Sequence, residues 1–262
     1  MSLDNYKVAF IISHKYYRNY ESYIQYYVDN IQKFYENSMI IIVDNNSNHI
    51  EDIKQKLANY NNIVILSNNS NCKFEIGAYN VGIRYLIEQN LTDTYDYCIF
   101  TQDNFVIKNK YDFNNLSNSN TTACALYTYK NAMRDINLYY EPISLSIFSK
   151  IFDMNNINNI IPQLSLCWCN SFVLDKSKIC DFLNITKDLT ITTRHESICS
   201  ERFLSGIIYF LNNCIITNID LDLNKHIENL NYDCWKINII DDKVCEYFAK
   251  RVQQKNENTI EK

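Results

Sequence analysis

Asp103 closes the run Phe100-Thr101-Gln102-Asp103-Asn104, directly after an apolar segment of strand length. A carboxylate at the end of a buried strand can hold a divalent cation that bridges two phosphates, because hard cations take oxygen ligands. The plain alternative is a turn residue at a strand end. A second cluster runs from Asn71 to Gly82 (NCKFEIGAYNVG) and contains two of the chain's 3 glycines. Where glycine is this scarce, a pair marks a place where backbone approaches a neighbour closely. The neighbour is either a ligand phosphate at Gly77 or another packed element. The run is not a G-x-G-x-x-G and follows a third strand rather than a first, which argues against a dinucleotide site.

The elements that must position these residues alternate in type. Tyr6 to Ser13 is a continuous apolar run, Tyr20 to Tyr35 has apolar residues at helical spacing, and Ser38 to Asp44 is a second apolar run. A short helix over Glu51 to Tyr60, a strand over Asn62 to Leu66, a helix over Gly77 to Glu88 and a strand over Tyr95 to Phe100 follow. Strands apolar on both faces, alternating with helices, predict a parallel sheet built from β-α-β units. Ligands of such sheets sit beyond the carboxyl ends of the strands. That singles out Ser13, Asp44, Asn45 and Asp103.

The second half is less regular. Thr122 to Tyr129 and Leu164 to Leu174 read as further strands, running antiparallel. Arg194 to Leu211 reads as a helix with Ile198, Phe203, Ile207 and Phe210 on its core face. Asn213 to Ile219 reads as an edge strand, and the tail from Glu246 as a helix that frays. The division is one domain over 1–245 and a tail over 246–262.

Composition bounds the class. With 262 residues, 30 acidic against 25 basic side chains and a pI near 5.4, the chain has no basic surface for phosphate backbones, so nucleic acid is excluded as a partner. Gly 3 and Pro 2 stand far below the roughly 18 and 13 of ordinary usage. Asn, present 38 times, must take over turn positions because it tolerates the left-handed region. The 10 Cys are scattered through apolar runs without a C-x-x-C, which predicts buried thiols in a reducing, cytoplasmic setting. No secretory leader and no membrane span is read from the sequence.

Taken in order, a strand ending in Ser13, a strand ending Val43-Asp44-Asn45-Asn46-Ser47, the Asn71–Gly82 run and Thr101-Gln102-Asp103 resemble a GT-A glycosyltransferase. The nearest branches are the family-2 and rhamnosyltransferase-like enzymes. The resemblance implies a Rossmann-like, mostly parallel sheet flanked by helices. It also implies transfer of a sugar from a nucleoside-diphosphate donor to a hydroxyl of a glycan, glycoprotein or lipid-linked acceptor. By position Asp44 would contact the nucleotide, and Asp103 would hold the Mn²⁺ or Mg²⁺ of the family's D-x-D. Thr101 replaces the first Asp of that motif.

Inverting members use a carboxylate near the start of a later helix as base, with an Arg downstream. Glu196 and Arg202 fit that pattern, Glu201 is the substitute, and His226 is a late metal ligand by the same analogy. Such a base takes the proton of the acceptor hydroxyl as the diphosphate leaves. Ser13, His14, Asn45, Lys73, Gly77 and Gln102 complete the expected donor pocket, with Lys15 and Arg84 as further candidates. Two rivals come from other classes. A catalytically silent sugar-nucleotide or glycan-binding module would bind donor without turnover. A nucleotidyltransferase should need a Gly- and Arg-rich loop after the first strand, and Ser13 to Ser22 offers one Arg and no Gly.

Overall fold

The computed structural model describes residues 6–15, 24–47, 50–103, 105–107, 113–118, 120–125, 128–129, 136–164, 166–167, 170–212 and 227–229. Its first half runs β1 (Val8–His14), α1 (Ile24–Phe34), β2 (Met39–Asp44), α2 (Ile50–Lys56), β3 (Ile63–Ser67), α3 (Phe74–Glu88) and β4 (Tyr97–Gln102). The second half runs β5 (Phe105–Ile107), α4 (Asn114–Asn118), β6 (Ala123–Ala125), β7 (Thr128–Tyr129), α5 (Pro142–Ile151), α6 (Ile157–Ile160), β8 (Leu166–Cys167), β9 (Phe172–Asp175), α7 (Ile179–Thr186), α8 (Arg194–Leu211) and β10 (Ile227–Asn229).

Six strands form one sheet in the order β3-β2-β1-β4-β9-β6. β1 to β4 are mutually parallel, and β9 runs antiparallel to both β4 and β6. The expected mostly parallel sheet flanked by helices is therefore the observed one. After β1, the chain steps outward through β2 and β3, then returns to place β4 on the other side of β1. The order reverses at the β1/β4 seam, and in open α/β sheets the ligand crevice opens at such a reversal.

Period-2 alternation explains why these strands stay central. Ala9, Ile11, Ile41, Val43, Cys98 and Phe100 enter one apolar cluster, and Val8, Phe10, Ile12, Ile40, Ile42, Tyr97 and Ile99 enter the one on the opposite face. On the first face Phe100 stacks on Phe172 with ring centroids 4.5 Å apart, and Tyr79 of α3 meets both edge-on at 5.3 and 5.7 Å. Each such ring contact adds about 0.5–1.5 kcal/mol beyond the area it buries.

Glycines let helices close on this core. A Cβ on Gly82 would lie 2.5 Å from Ile11 Cγ2, so α3 seats directly on β1. A Cβ on Gly206 would lie 2.4 Å from Phe148 Cε1, which brings α8 onto α5.

Three sequence expectations are corrected here. The run over Leu164 to Leu174 is two strands, β8 and β9, because Asn170 between them takes a left-handed φ of 54°. Thr122 to Tyr129 likewise divides into β6 and β7, which pair with different partners. On α8, Phe203 and Ile207 are fully buried, but Ile198 and Phe210 are each 37% exposed. The core stripe is Cys199, Phe203, Leu204, Ile207 and Leu211 instead. The expected edge strand over 213–219 and the tail over 246–262 lie outside the described residues. Of the described cysteines, Cys72, Cys98, Cys124, Cys167 and Cys199 are buried and Cys180 is exposed. Among the described residues no helix is long and apolar enough to cross a membrane.

Candidate functional site

The β1/β4 seam ends in a paired imidazole and carboxylate. β1 carries Ser13 opposite Gln102 of β4 and His14 opposite Asp44 of β2. Just past β4 the chain turns, and Asp103 Oδ2 lies 2.7 Å from His14 Nδ1. With Asp103 ionised, the carboxylate would accept from His14 Nδ1–H. His14 is 3% and Asp103 20% exposed. His14 Nε2 is buried and meets no hydrogen-bond partner among the described residues. Thr101, where the resemblance would have a second carboxylate, is buried and turns its hydroxyl to Gln102 O at 3.2 Å.

Asparagines build the neighbouring rim. Asn45 N donates to His14 O at 2.8 Å and its Nδ2 to Ser13 Oγ at 2.9 Å. Asn68 Nδ2 reaches Asn45 Oδ1 at 2.8 Å and Cys72 O at 2.9 Å, which ties the ends of β1, β2 and β3 together. Asp44 is buried, and its carboxylate accepts from Ser47 N at 2.7 Å and from Ser47 Oγ. It closes the turn after β2, and a nucleotide contact would have to compete with those bonds.

Gly77 is explained by packing. A Cβ there would lie 1.7 Å from Cys72 O and 2.7 Å from Asn68 Nδ2, so the turn after β3 folds flat on α3. Lys73 is exposed, with Nζ 3.1 Å from Ser70 O, and Arg84 is exposed on α3.

Helix α8 carries the two expected bases, Glu196 in its first turn and Glu201 further along, and both are engaged. Thr193 caps the helix, accepting from Glu196 N at 3.2 Å, while Glu196 Oε2 accepts from Thr192 N at 2.7 Å and Thr193 N at 2.9 Å. This capping box satisfies amides that the helix leaves open. Those backbone N–H bonds, Thr192's first, hold the Glu196 carboxyl below the usual carboxylate range. Glu196 is thus engaged as the cap of α8, and acting as a base would mean leaving those bonds. Glu201 Oε2 lies 2.9 Å from Arg202 Nη1, so this carboxylate belongs to an ion pair along the helix.

Sequence reasoning passed over a different carboxylate. Glu75, in the first turn of α3, is 8% exposed. Its Oε2 accepts from Ser197 Oγ of α8 at 3.1 Å and lies 3.4 Å from Asn170 Nδ2. Ser200 Oγ stands 2.8 Å from Asn170 Oδ1 and extends the cluster. Burial pushes the Glu75 carboxyl above its ordinary range, against the opposing pull of its own backbone N–H, Arg194, Ser197 and Asn170. Asn170 stands two residues before Phe172, whose partner Phe100 stands two residues before Gln102. The cluster therefore belongs to the same carboxyl-end rim. An acidic residue beside a scarce glycine was the only signal for it in the sequence.

The donor set for a divalent cation is thin. Among the described residues no group of three His, Cys, Asp or Glu side chains could hold a metal ion. Asp103 offers one carboxylate, and Oδ2 already faces His14. These residues do not by themselves fit a metal site, and His226 lies outside the described residues.

No family model matches this chain. No curated protein matches it either. Among solved structures it is similar to the mannosyltransferase PcManGT of Pyrobaculum calidifontis in complex with GDP-Man and Mn²⁺, at 12% identity over 66% of this chain and 46% of that one, TM-score 0.39. It is also similar to the bifunctional glycosyltransferase WbbM, at 12% identity over 80% and 38%, TM-score 0.41. The galactosyltransferase LgtC with donor and acceptor sugar analogues matches at 10% identity over 77% and 70%, TM-score 0.37. The chain spans less than half the length of the first two.

Proposed function

We propose that this protein transfers a sugar from a nucleoside-diphosphate donor to an acceptor hydroxyl, at the crevice beyond the carboxyl ends of β1, β2 and β4. The observation that carries the reading is the His14–Asp103 pair, a polar couple placed at the reversal point of an otherwise apolar sheet. A buried polar atom costs stability unless it is hydrogen-bonded, and His14 Nε2 has no such partner among the described residues. The Ser13–Asn45–Asn68 chain offers the hydroxyl and amide groups that recognise a nucleoside, and Gln102 stands between it and Asp103. The acceptor oxygen would attack the anomeric carbon as the diphosphate departs from the opposite face, so a single displacement inverts the centre.

Thermal stability with UDP, GDP, dTDP or CMP, each with Mn²⁺, Mg²⁺ or EDTA, tests this. Ligand at a hundredfold excess over Kd stabilises by about 2.7 kcal/mol. A shift for one nucleotide, absent in the Asp103→Ala variant, is the expected result. Disappearance of the shift with EDTA would restore the cation to Asp103. No shift for any nucleotide removes the reading. The buried hydroxyl of Thr101 at the D-x-D position favours one rival, a binding module without turnover. That rival gives the same shift but no nucleotide release from any sugar nucleotide.

A further inference from the structure

We infer that Glu75 is the general base of this site, the carboxylate that takes the proton of the acceptor hydroxyl. The inference rests on the transferase reading above and assigns a role that the sequence had placed on α8. Three features of the structure converge on it. Glu75 stands where the amino-terminal turns of α3 and α8 meet, held by Ser197 at 3.1 Å and by Asn170 at 3.4 Å. Lys73 N donating to Ile191 O at 2.7 Å closes the two segments on each other just outside it.

The backbone on both sides of the cluster is held in a conformation that side chains disfavour. Phe74, the residue before Glu75, has φ 60°, and Asn170 has φ 54°. Asn enters the left-handed region readily, but a bulky Phe there is a true outlier, of the kind that collects at functional sites. A design for stability alone would fill this junction with apolar side chains. Here the chain instead buries a carboxylate, two serines and an amide.

The other carboxylates considered hold local structure rather than a junction between elements. Glu196 closes the α8 capping box, Glu201 pairs with Arg202, and Asp44 holds the Ser47 turn. Burial also raises the affinity of Glu75 for a proton, and the charge that faces it is the Arg194 guanidinium on α8. A base works best when its proton affinity approaches that of its medium. In the step, the acceptor O–H bond breaks and its proton passes to Glu75. The oxygen bonds the anomeric carbon, and the bond from that carbon to the diphosphate breaks, the diphosphate leaving with the electron pair.

The test measures nucleotide release from UDP-glucose, UDP-galactose, GDP-mannose and dTDP-rhamnose, with water or methyl glycosides as acceptors. Wild type is compared with Glu75→Gln, Glu75→Asp and, as an exposed control on α7, Asp181→Asn. Glu75→Gln should lower kcat about 100-fold or more while keeping the thermal shift with nucleotide, since base catalysis typically supplies roughly 10²–10⁴. The acidic limb of its pH–kcat profile should vanish. A kcat within threefold of wild type, or an unchanged acidic limb, overturns the assignment. If Glu75→Gln does not fold, Glu75→Asp decides: the acidic limb must move for the assignment to stand. Wild type that neither binds nucleotide nor releases it from any donor removes the transferase reading and Glu75's role together. Turnover that Glu75→Gln leaves intact removes only Glu75.

Discussion

Glu75 and Glu196 occupy the first turns of two helices that touch, yet their surroundings push them in opposite directions. Glu196 gains backbone hydrogen bonds as an anion, so its folded proton affinity is depressed. The stability it contributes is present above the unfolded carboxylate value of roughly 4.3 and is lost as pH falls through the lower folded value. Glu196→Gln should therefore melt below wild type at pH 7, and the two melting curves should converge as the pH is lowered below 4. For Glu75 lost hydration outweighs the pull of its own backbone N–H, Arg194, Ser197 and Asn170, so its folded proton affinity is raised. Its contribution is fully present below the unfolded value and falls away as pH rises through the higher folded one. Glu75→Gln should match wild type in melting temperature near pH 4 and exceed it at pH 8. A Glu75→Gln protein less stable than wild type at pH 8 would show that Arg194 and Ser197 outweigh desolvation.

At the scale of elements, glycine decides which helices can approach which neighbours. Gly77→Ala would drive a methyl into the Cys72 carbonyl, which is backbone and cannot swing aside. Gly206→Ala would meet the ring edge of Phe148, itself fully buried against α8. Overpacking of this kind costs about 1–3 kcal/mol, occasionally more. Gly77→Ala should be the worse of the two by urea denaturation, and equal midpoints would contradict the close approach after β3. Thr193→Ala removes the acceptor that caps α8 and should cost about 0.5–2 kcal/mol in the same assay.

The described residues are held by a sheet with apolar residues on both faces, and rings reinforce the pairing of β9 with β4. Phe172 brings β9 against β4, meeting Phe100, Tyr79 and Phe182 within 6 Å. Phe172→Ala should cost about 3–5 kcal/mol, read as a fall in the denaturation midpoint. The same burial protects most described thiols. Cys98 is pushed up to about 12 and Cys199 to about 11, both chiefly by desolvation, whereas Cys180 is exposed on α7. Maleimide at pH 7 should label Cys180 well before Cys98 or Cys199, as peptide mapping would show.

Local sequence was enough for the first four strands, because each is a run of β-branched and aromatic residues long enough to be apolar on both faces. The helix Arg194–Leu211 was legible for a similar reason, since apolar residues at helical spacing report on near neighbours in the chain. The strand-end positions Ser13, Asp44, Asn45 and Asp103 followed from the same pattern. The face α8 turns inward was not readable, because the neighbours that select Cys199 and Leu204 over Ile198 and Phe210 come from distant segments. Nor did the sequence separate one carboxylate from another: Glu75, Glu196 and Glu201 differ in what surrounds them, not in type. The burial of Glu75 against Ser197, 122 residues away, is a property of three-dimensional position that neither Glu196 nor Glu201 shares. Composition and periodicity are set by the order of residues, so they survive in the sequence. Proton affinity is set by solvent exclusion and by the charges that folding brings near, so only the tertiary structure decided it.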